Sequence, residues 1–303
     1  MNEESKKQIQ NKVIEWLSQS SEHTQTALAT KLDISGSYIN QIAKGTWNEK
    51  YPLPQVWHLV GGLLDWEQHI DSPNYLTIQG LLTQALEEKS RSGINGAISG
   101  EGKTYAIRRF CENTPNAYHV ICRASMSDKA LLIDTARVMG IRDTHKLKKW
   151  ELEDTIADHL IKKGGVVVFD EYEYLEKKRG ALNSIKTICD LVENKAGVVL
   201  CGLDAKKMLR DLLRLKKNRG IPQISRRFKF KWFTPFCIES SEIQGFSKSN
   251  GITNKHALAW LVNHVDNYDT LVITIKDAVR VARENGVELA EIDTDFLNEV
   301  FED

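Results

Sequence analysis

AISGEGKT, Ala97 to Thr104, follows a short apolar stretch and opens a helical run through YAIRRF, Tyr105 to Phe110. Strand, tight turn and helix in that order bring backbone N–H groups and a helix N-terminus to one point, which suits phosphate oxygens. Gly100 and Gly102 admit backbone angles that side chains forbid. Lys103 has the reach for the outer phosphates of a nucleotide, and the Thr104 hydroxyl can ligate magnesium. The expected nucleotide contacts are therefore Ser99, Gly100, Glu101, Gly102, Lys103, Thr104 and Tyr105. The pattern G-x-x-x-x-G-K-[ST] has Ala97 in place of its first glycine, and the bare alternative is a solvent-exposed loop.

The second deciding stretch is VVVFDE, Val166 to Glu171. Four consecutive apolar β-formers ending in acids describe a buried strand that delivers carboxylates at its C-terminal end. Asp170 is the expected Mg2+ holder, acting through water, and Glu171 the group that orients and polarises an attacking water. The alternative is a strand that ends in acids at the surface. Together the two stretches point to ATP, Mg2+ and ATP hydrolysis, with Lys103 and Glu171 in the catalytic roles.

Outward from these motifs, short apolar strands at Ile94 to Ile98, Tyr118 to Cys122, Val166 to Phe169, Val198 to Cys201 and Phe228 to Phe233 alternate with helical stretches. That alternation predicts a mainly parallel α/β sheet flanked by helices. After Phe236 the pattern is helical: Ser240 to Lys248, Lys255 to Val265, Leu271 to Glu284 and Thr294 to Val300 form an expected C-terminal lid. Before the core, Ile9, Val13, Ile14 and Leu17 lie at helical spacing. HTQTALATKLDISGSYINQIAKGTW then reads as two short helices, Thr24 to Leu32 and Ser35 to Lys44, in helix-turn-helix spacing. Leu28, Ala29, Leu32, Ile34, Ile39 and Ile42 would close its core, leaving Ser35, Ser37, Tyr38, Asn40, Gln41 and Lys44 outward. Trp57, Leu59, Leu63, Leu64 and Trp66 would complete the module, and DSPN, Asp71 to Asn74, marks a boundary. The expected division is 1–72, all-α helix-turn-helix domain; 73–236, ATPase core; 237–303, helical lid.

Of the 303 residues, 41% are hydrophobic and 27% charged, and no apolar run approaches the roughly 18 residues of a membrane span. With MNEESKKQIQ at the N-terminus and no secretory pattern, the expectation is a cytoplasmic protein. Cys111, Cys122, Cys189, Cys201 and Cys237 are scattered among apolar residues with no C-x-x-C pair, predicting reduced core thiols and no zinc. The 41 basic and 41 acidic residues cancel, but they are unevenly spread. Ala205 to Lys231 carries eleven Lys or Arg against one acid, Asp211, and the tail from Glu284 has eight acids and no base. Within DAKKMLRDLLRLKKNRG, Lys206, Lys207, Arg210, Arg214 and Lys217 fall on one side, while Met208, Leu209, Leu212 and Leu213 can pack inward. Two readings stand open: a face that tracks a DNA backbone, or an ordinary solvated amphipathic helix.

These residues resemble AAA+ ATPases, specifically the phage Mu transposition protein B family of transposition target-selection ATPases. The resemblance rests on the N-terminal helix-turn-helix, AISGEGKT, GGVVVFDEYEYL, AGVVLCG (Ala196 to Gly202), ISRRF (Ile224 to Phe228) and the helical lid. It implies a P-loop AAA+ core and a helical or ring homo-oligomer on double-stranded DNA. It also implies an arginine completing the neighbouring subunit's ATP site, with Arg226 the candidate and Arg227 second. Salt bridging is the alternative role for both. The resemblance further suggests Arg280, in TIKDAVRVA, as a nucleotide sensor from the lid, and places Leu203 where a polar residue usually ends the fourth strand.

The N-terminal module resembles phage repressor-type helix-turn-helix domains, in which the second helix enters the major groove. Ser35, Ser37, Tyr38, Asn40, Gln41 and Lys44 face DNA on that reading, and only Lys44 among them is basic, so protein interaction stays open as the module's role. The function implied is an ATP-dependent, non-sequence-specific duplex-DNA-binding ATPase that selects transposition targets and stimulates a transposase. A replication initiator or helicase loader and an ATP-switched transcriptional regulator are the alternatives.

Overall fold

The computed structural model describes residues 3–19, 23–32, 34–48, 56–57, 60, 72–214, 228 and 232–301. The chain divides into two compact units, Met1–Ile70 and Asp71–Asp303.

In the first unit, α1 (Glu3–Gln19), α2 (Gln25–Leu32) and α3 (Gly36–Lys44) enclose a core of Ile9, Val13, Trp16, Leu28, Ala29, Ile39 and Ile42, joined by Val56, Trp57 and Val60. Ser35 caps α3 by accepting a hydrogen bond from the Ser37 amide, and Gly45 ends the helix at φ 67°. The Ile34 amide donates to the Ala29 carbonyl at 3.0 Å, closing the turn between α2 and α3. Ile14, expected inward, is exposed, because Trp16 fills the face beside Ile9 and Val13. Leu59, Leu63, Leu64 and Trp66 lie outside the described residues.

The second unit begins with α4 (Pro73–Glu87), started by the Ser72 hydroxyl, which accepts from the Tyr75 amide at 3.1 Å, with Pro73 in the first turn. Strands and helices then alternate: β1 (Arg91–Gly96), α5 (Lys103–Asn113), β2 (Ala117–Ile121), α6 (Asp128–Val138), α7 (Lys149–Lys163), β3 (Val166–Asp170), α8 (Arg179–Leu191), β4 (Gly197–Leu203), α9 (Ala205–Arg214) and β5 (Trp232–Phe233). The five strands among the described residues are parallel, in the order β2-β3-β4-β1-β5. Four helices follow: α10 (Ser240–Ser249), α11 (Lys255–His264), α12 (Tyr268–Asn285) and α13 (Thr294–Phe301). None of the described helices is long and apolar enough to cross a membrane.

Strand periodicity builds the core in two layers. Val167, Phe169, Val198 and Leu200 face Leu132, Ile156, Leu182 and Ile185, whereas Val166, Val168, Val199 and Cys201 face Ile78, Leu82, Ile107 and Phe110. A sheet covered on both faces explains the unbroken apolar run of β3, in which every residue is buried. β1 departs from expectation: it starts three residues early, at Arg91, and stops at Gly96, so Ala97 and Ile98 lie in the loop. Its signal is diluted by Gly93, where a Cβ would collide with the Trp232 ring. The described part of the fifth strand is only Trp232–Phe233, and Phe228 is buried in a turn. Cys122, Cys189 and Cys201 are buried as expected, but Cys237 is exposed.

Candidate nucleotide site

Two strands, β3 and β4, lie between β1 and β2, so the chain must leave β1 in one direction and return to the sheet on the far side of β4. Crevices of this kind at strand C-termini accept ligands in open α/β sheets. Gly96 is paired with Leu203 and Ile121 with Asp170, which sets the strand ends in one row beneath the loop. A cleft of about 270 Å³ opens there. All seven expected contact residues, Ser99 to Tyr105, line it together with Asp170 and Glu171.

The loop is braced from within. Glu101, 4% exposed, accepts hydrogen bonds from the Ala97 and Ile98 amides at 3.2 and 3.3 Å through Oε1. Its Oε2 receives the Lys103 ammonium at 2.6 Å, and Lys103 also donates to the Ile98 carbonyl at 3.0 Å. Lys103 is thereby folded over the loop, its charge balanced by a buried carboxylate. Gly100 and Gly102 adopt φ 82° and 76°, the left-handed region that their roles require. The Tyr268 amide, at the start of α12, donates to the Gly100 carbonyl at 2.9 Å, so the last helical group touches the loop directly.

Gly96 was not anticipated as a site residue. A Cβ there would collide with Nζ and Cε of Lys103 and lie 2.8 Å from Glu101 Oε2. The close-approach glycine thus stands one position before the place where the motif shows Ala97, and the signal was the adjacent Gly96 itself. Gly96→Ala is expected to push the Lys103 side chain out of the cradle and weaken MgATP binding about tenfold. The backbone should be little disturbed, because the colliding atoms end a flexible side chain, but displacing the ammonium from buried Glu101 should also lower thermal stability. A nucleotide titration alongside a melting curve measures both effects.

At the end of β3, the Thr104 hydroxyl donates to Asp170 Oδ2 at 2.9 Å, and His119 Nε2 lies 3.0 Å from the same oxygen. Burial alone would raise the Asp170 carboxyl, but the His119, Cys201 and Thr104 contacts hold it below its ordinary value. A buried carboxylate kept ionised beside a hydroxyl fits magnesium, which favours hard oxygen donors and keeps several waters. Among the described residues, no three His, Cys, Asp or Glu side chains gather as metal ligands. A cation here would therefore draw on Asp170, Thr104, phosphate oxygens and water. Magnesium in that place would neutralise phosphate charge.

Glu171 follows at φ 54°, a left-handed conformation costly for a side chain and typical of residues aimed at a site. Burial, then the charges of Asp170 and Glu173, push its carboxyl above the ordinary glutamate value, which makes it a stronger proton acceptor than an exposed glutamate. Glu173, Gly202 and Asp269 also line the cleft and were missed from sequence, as was the His119 contact to Asp170.

Arg280 falls away from this cleft. It lies eleven residues beyond Asp269, about 16 Å along α12, exposed and paired with Asp277 and Glu284. The start of that helix, not its middle, meets the loop, and Asp269 is the α12 residue that reaches the cleft. Arg226 and Arg227 lie outside the described residues.

The candidate DNA surfaces are met in part. On α3, Ser35, Ser37 and Lys44 are exposed, while Asn40 and Gln41 are half-buried and Tyr38 packs on the core. Tyr38, Asn40 and Gln41 are therefore not fully outward, because α3 is short and its flanks close the small core. On α9, Lys206, Lys207 and Arg210 are exposed, and Met208 and Leu209 are buried beneath them. Arg214 ends α9, and its side chain, with Lys217, lies outside the described residues.

A family model of the AAA domain matches residues 89–216. No curated protein matches the chain. Among solved structures, the chain is similar to the ORC2 protein of Aeropyrum pernix in ADPNP and ADP complexes, at 14% identity and a TM-score of 0.57, over 78% of this chain and 70% of that one. It is similar to the ORC1 protein of the same organism in complex with DNA, at 15% identity and 0.55, over 75% of this chain and 63% of that one. It is also similar to domain III of the Thermotoga maritima replication initiation protein DnaA, at 16% identity and 0.52, over 78% and 94%. At such identities the likeness is one of fold. With the sheet order and the loop geometry, these likenesses define a P-loop AAA+ core flanked by helices.

Proposed function

We propose that this chain is an ATP-dependent, non-sequence-specific duplex-DNA-binding AAA+ ATPase that oligomerises on DNA, selects transposition target sites and stimulates a transposase. The observation that carries the ATPase reading is the convergence of Lys103, Thr104, Asp170 and Glu171 on one cleft. DNA binding draws support from the exposed Lys206, Lys207 and Arg210 on α9 and from the likeness to ORC1, which was solved with DNA. The transposition reading rests on the motif resemblance and the helix-turn-helix unit that precedes the core.

ATP would act as the assembly switch: γ-phosphate contacts from Lys103, and from Arg226 of a neighbouring subunit, tie nucleotide to the interface. Arg226→Ala is expected to abolish ATP-dependent oligomers on DNA in electron micrographs while sparing ATP binding by the monomer. Normal assemblies from that variant would sink the switch.

Glu171 sets a pH dependence. A carboxyl with a raised pKa keeps its proton to higher pH, and the protonated form cannot accept one. Turnover should therefore fall on the acid side, with a midpoint above that of an ordinary glutamate, in kcat measured from about pH 4 to 8. A flat profile across that range contradicts the role.

The fold likenesses to ORC proteins and DnaA favour one second reading, a replication initiator or helicase loader. Affinity capture that returns a helicase rather than a transposase would select it.

A further inference from the structure

Among the carboxylates that line the cleft, Glu173 serves neither the loop, as Glu101 does, nor the candidate metal site, as Asp170 does. Glu173 sits on the 3-10 turn Tyr172–Leu175 after β3, and its side chain reaches across to the end of β4. There its Oε2 lies so close to Gly202 that a Cβ at that position would collide with it. This oxygen is buried and has no hydrogen-bond partner, while the backbone N–H groups of Glu173 and Leu203 act on the carboxylate as a whole. Buried polar atoms are rarely left without partners in a native fold, and the residue that carries this one lines the cleft beside Glu171.

The neighbouring residues of β4 leave a polar role vacant. Leu203 lines the same cleft with an aliphatic side chain. Asp204 turns away: its amide donates to the Gly96 carbonyl at 2.9 Å, and its carboxylate lies exposed, 3.9 Å from Lys207. Asp170 is already engaged by Thr104 and His119. Hydrolysis of a phosphoanhydride needs the attacking water held in line as well as deprotonated, and one carboxylate cannot fix a water in two directions.

We propose that Glu173 is a positioning residue for the attacking water, supplying from β3 the polar group that the end of β4 lacks. This inference rests on the ATPase reading. Gly202 is its structural condition, because only a residue without Cβ leaves room for the Glu173 carboxylate. The water donates one hydrogen bond to Glu173 while Glu171 accepts the proton released as the new P–O bond forms and the bond to ADP breaks.

The test is steady-state ATP hydrolysis with DNA, together with binding of a fluorescent ATP analogue, on wild type, Glu173→Gln and the double variant Glu173→Gln/Leu203→Asn. Glu173→Gln should lower kcat about tenfold or more with KM and analogue affinity within about threefold, because positioning acts on turnover rather than binding. Leu203→Asn should restore part of the lost kcat, since its amide places a polar group at the vacant point. Wild-type kcat in Glu173→Gln overturns the inference, and so does a loss that Leu203→Asn fails to relieve. A wild-type protein that binds no MgATP, or binds it without turnover, overturns instead the ATPase reading beneath it.

Discussion

Lys103→Ala is expected to weaken MgATP binding about 100-fold or more. The ammonium is already seated over the loop, 2.6 Å from Glu101 Oε2 and 3.0 Å from the Ile98 carbonyl. Nucleotide phosphates would thus meet a cation that needs little reordering. Its loss removes that attraction and also leaves Glu101, 4% exposed, as an uncompensated anion beside the phosphate cradle. Removing one partner of a buried ion pair costs about 3–5 kcal/mol, and part of that falls on the free protein. Lys103→Ala/Glu101→Gln separates the two effects. The double variant should regain thermal stability without regaining affinity, in calorimetric titration and melting curves. Recovery of both would mean that Lys103 serves the fold rather than the nucleotide.

Glu171→Gln should lower turnover by about 100- to 10,000-fold while leaving nucleotide affinity nearly unchanged. The amide fits the space and keeps the φ 54° backbone in the same class of residue, but it accepts no proton. Asp170 and Thr104 are untouched, so the cation site survives. A protein that binds ATP and fails to release it as ADP should accumulate in ATP-dependent assemblies, visible in single-turnover assays and by sedimentation. Turnover above about one tenth of wild type would remove Glu171 from the acceptor role.

How much of this was legible in the sequence depended on how locally each feature is encoded. β3 and its two acids were plain, because a strand buried on both faces must be apolar throughout and the change to Asp170 and Glu171 is abrupt. The start and end of β1 were not: Gly93 and Gly96 are present because Trp232 and Lys103 crowd them, and both partners are distant or follow the turn. The helices after Phe236 were read within a few residues, since each has an apolar face and a capping residue such as Asn254 or Asn267. Which end of the lid helix meets the loop was not legible. Periodicity tells which face of α12 is buried but not which end meets the loop, and only the Tyr268–Gly100 hydrogen bond, made across the fold, brings Asp269 to the cleft in place of Arg280. Glu173 was passed over because an acid two positions after Glu171 looks like a solvated turn until Gly202 is set against it. In the N-terminal unit the helix-turn-helix spacing was readable, but Tyr38, Asn40 and Gln41 were assigned outward because a nine-residue helix shows too few turns to define its buried width.

MgATP is expected to bind this cleft through Lys103, Thr104 and Asp170. Titration of the purified protein with a fluorescent ATP analogue, with magnesium and then with the metal chelated, measures this binding. Saturable binding that needs magnesium, is displaced by ATP and is lost in Lys103→Ala is the predicted result. No saturable binding by the folded wild-type protein at about 1 mM nucleotide, or binding indifferent to both magnesium and Lys103, would contradict it.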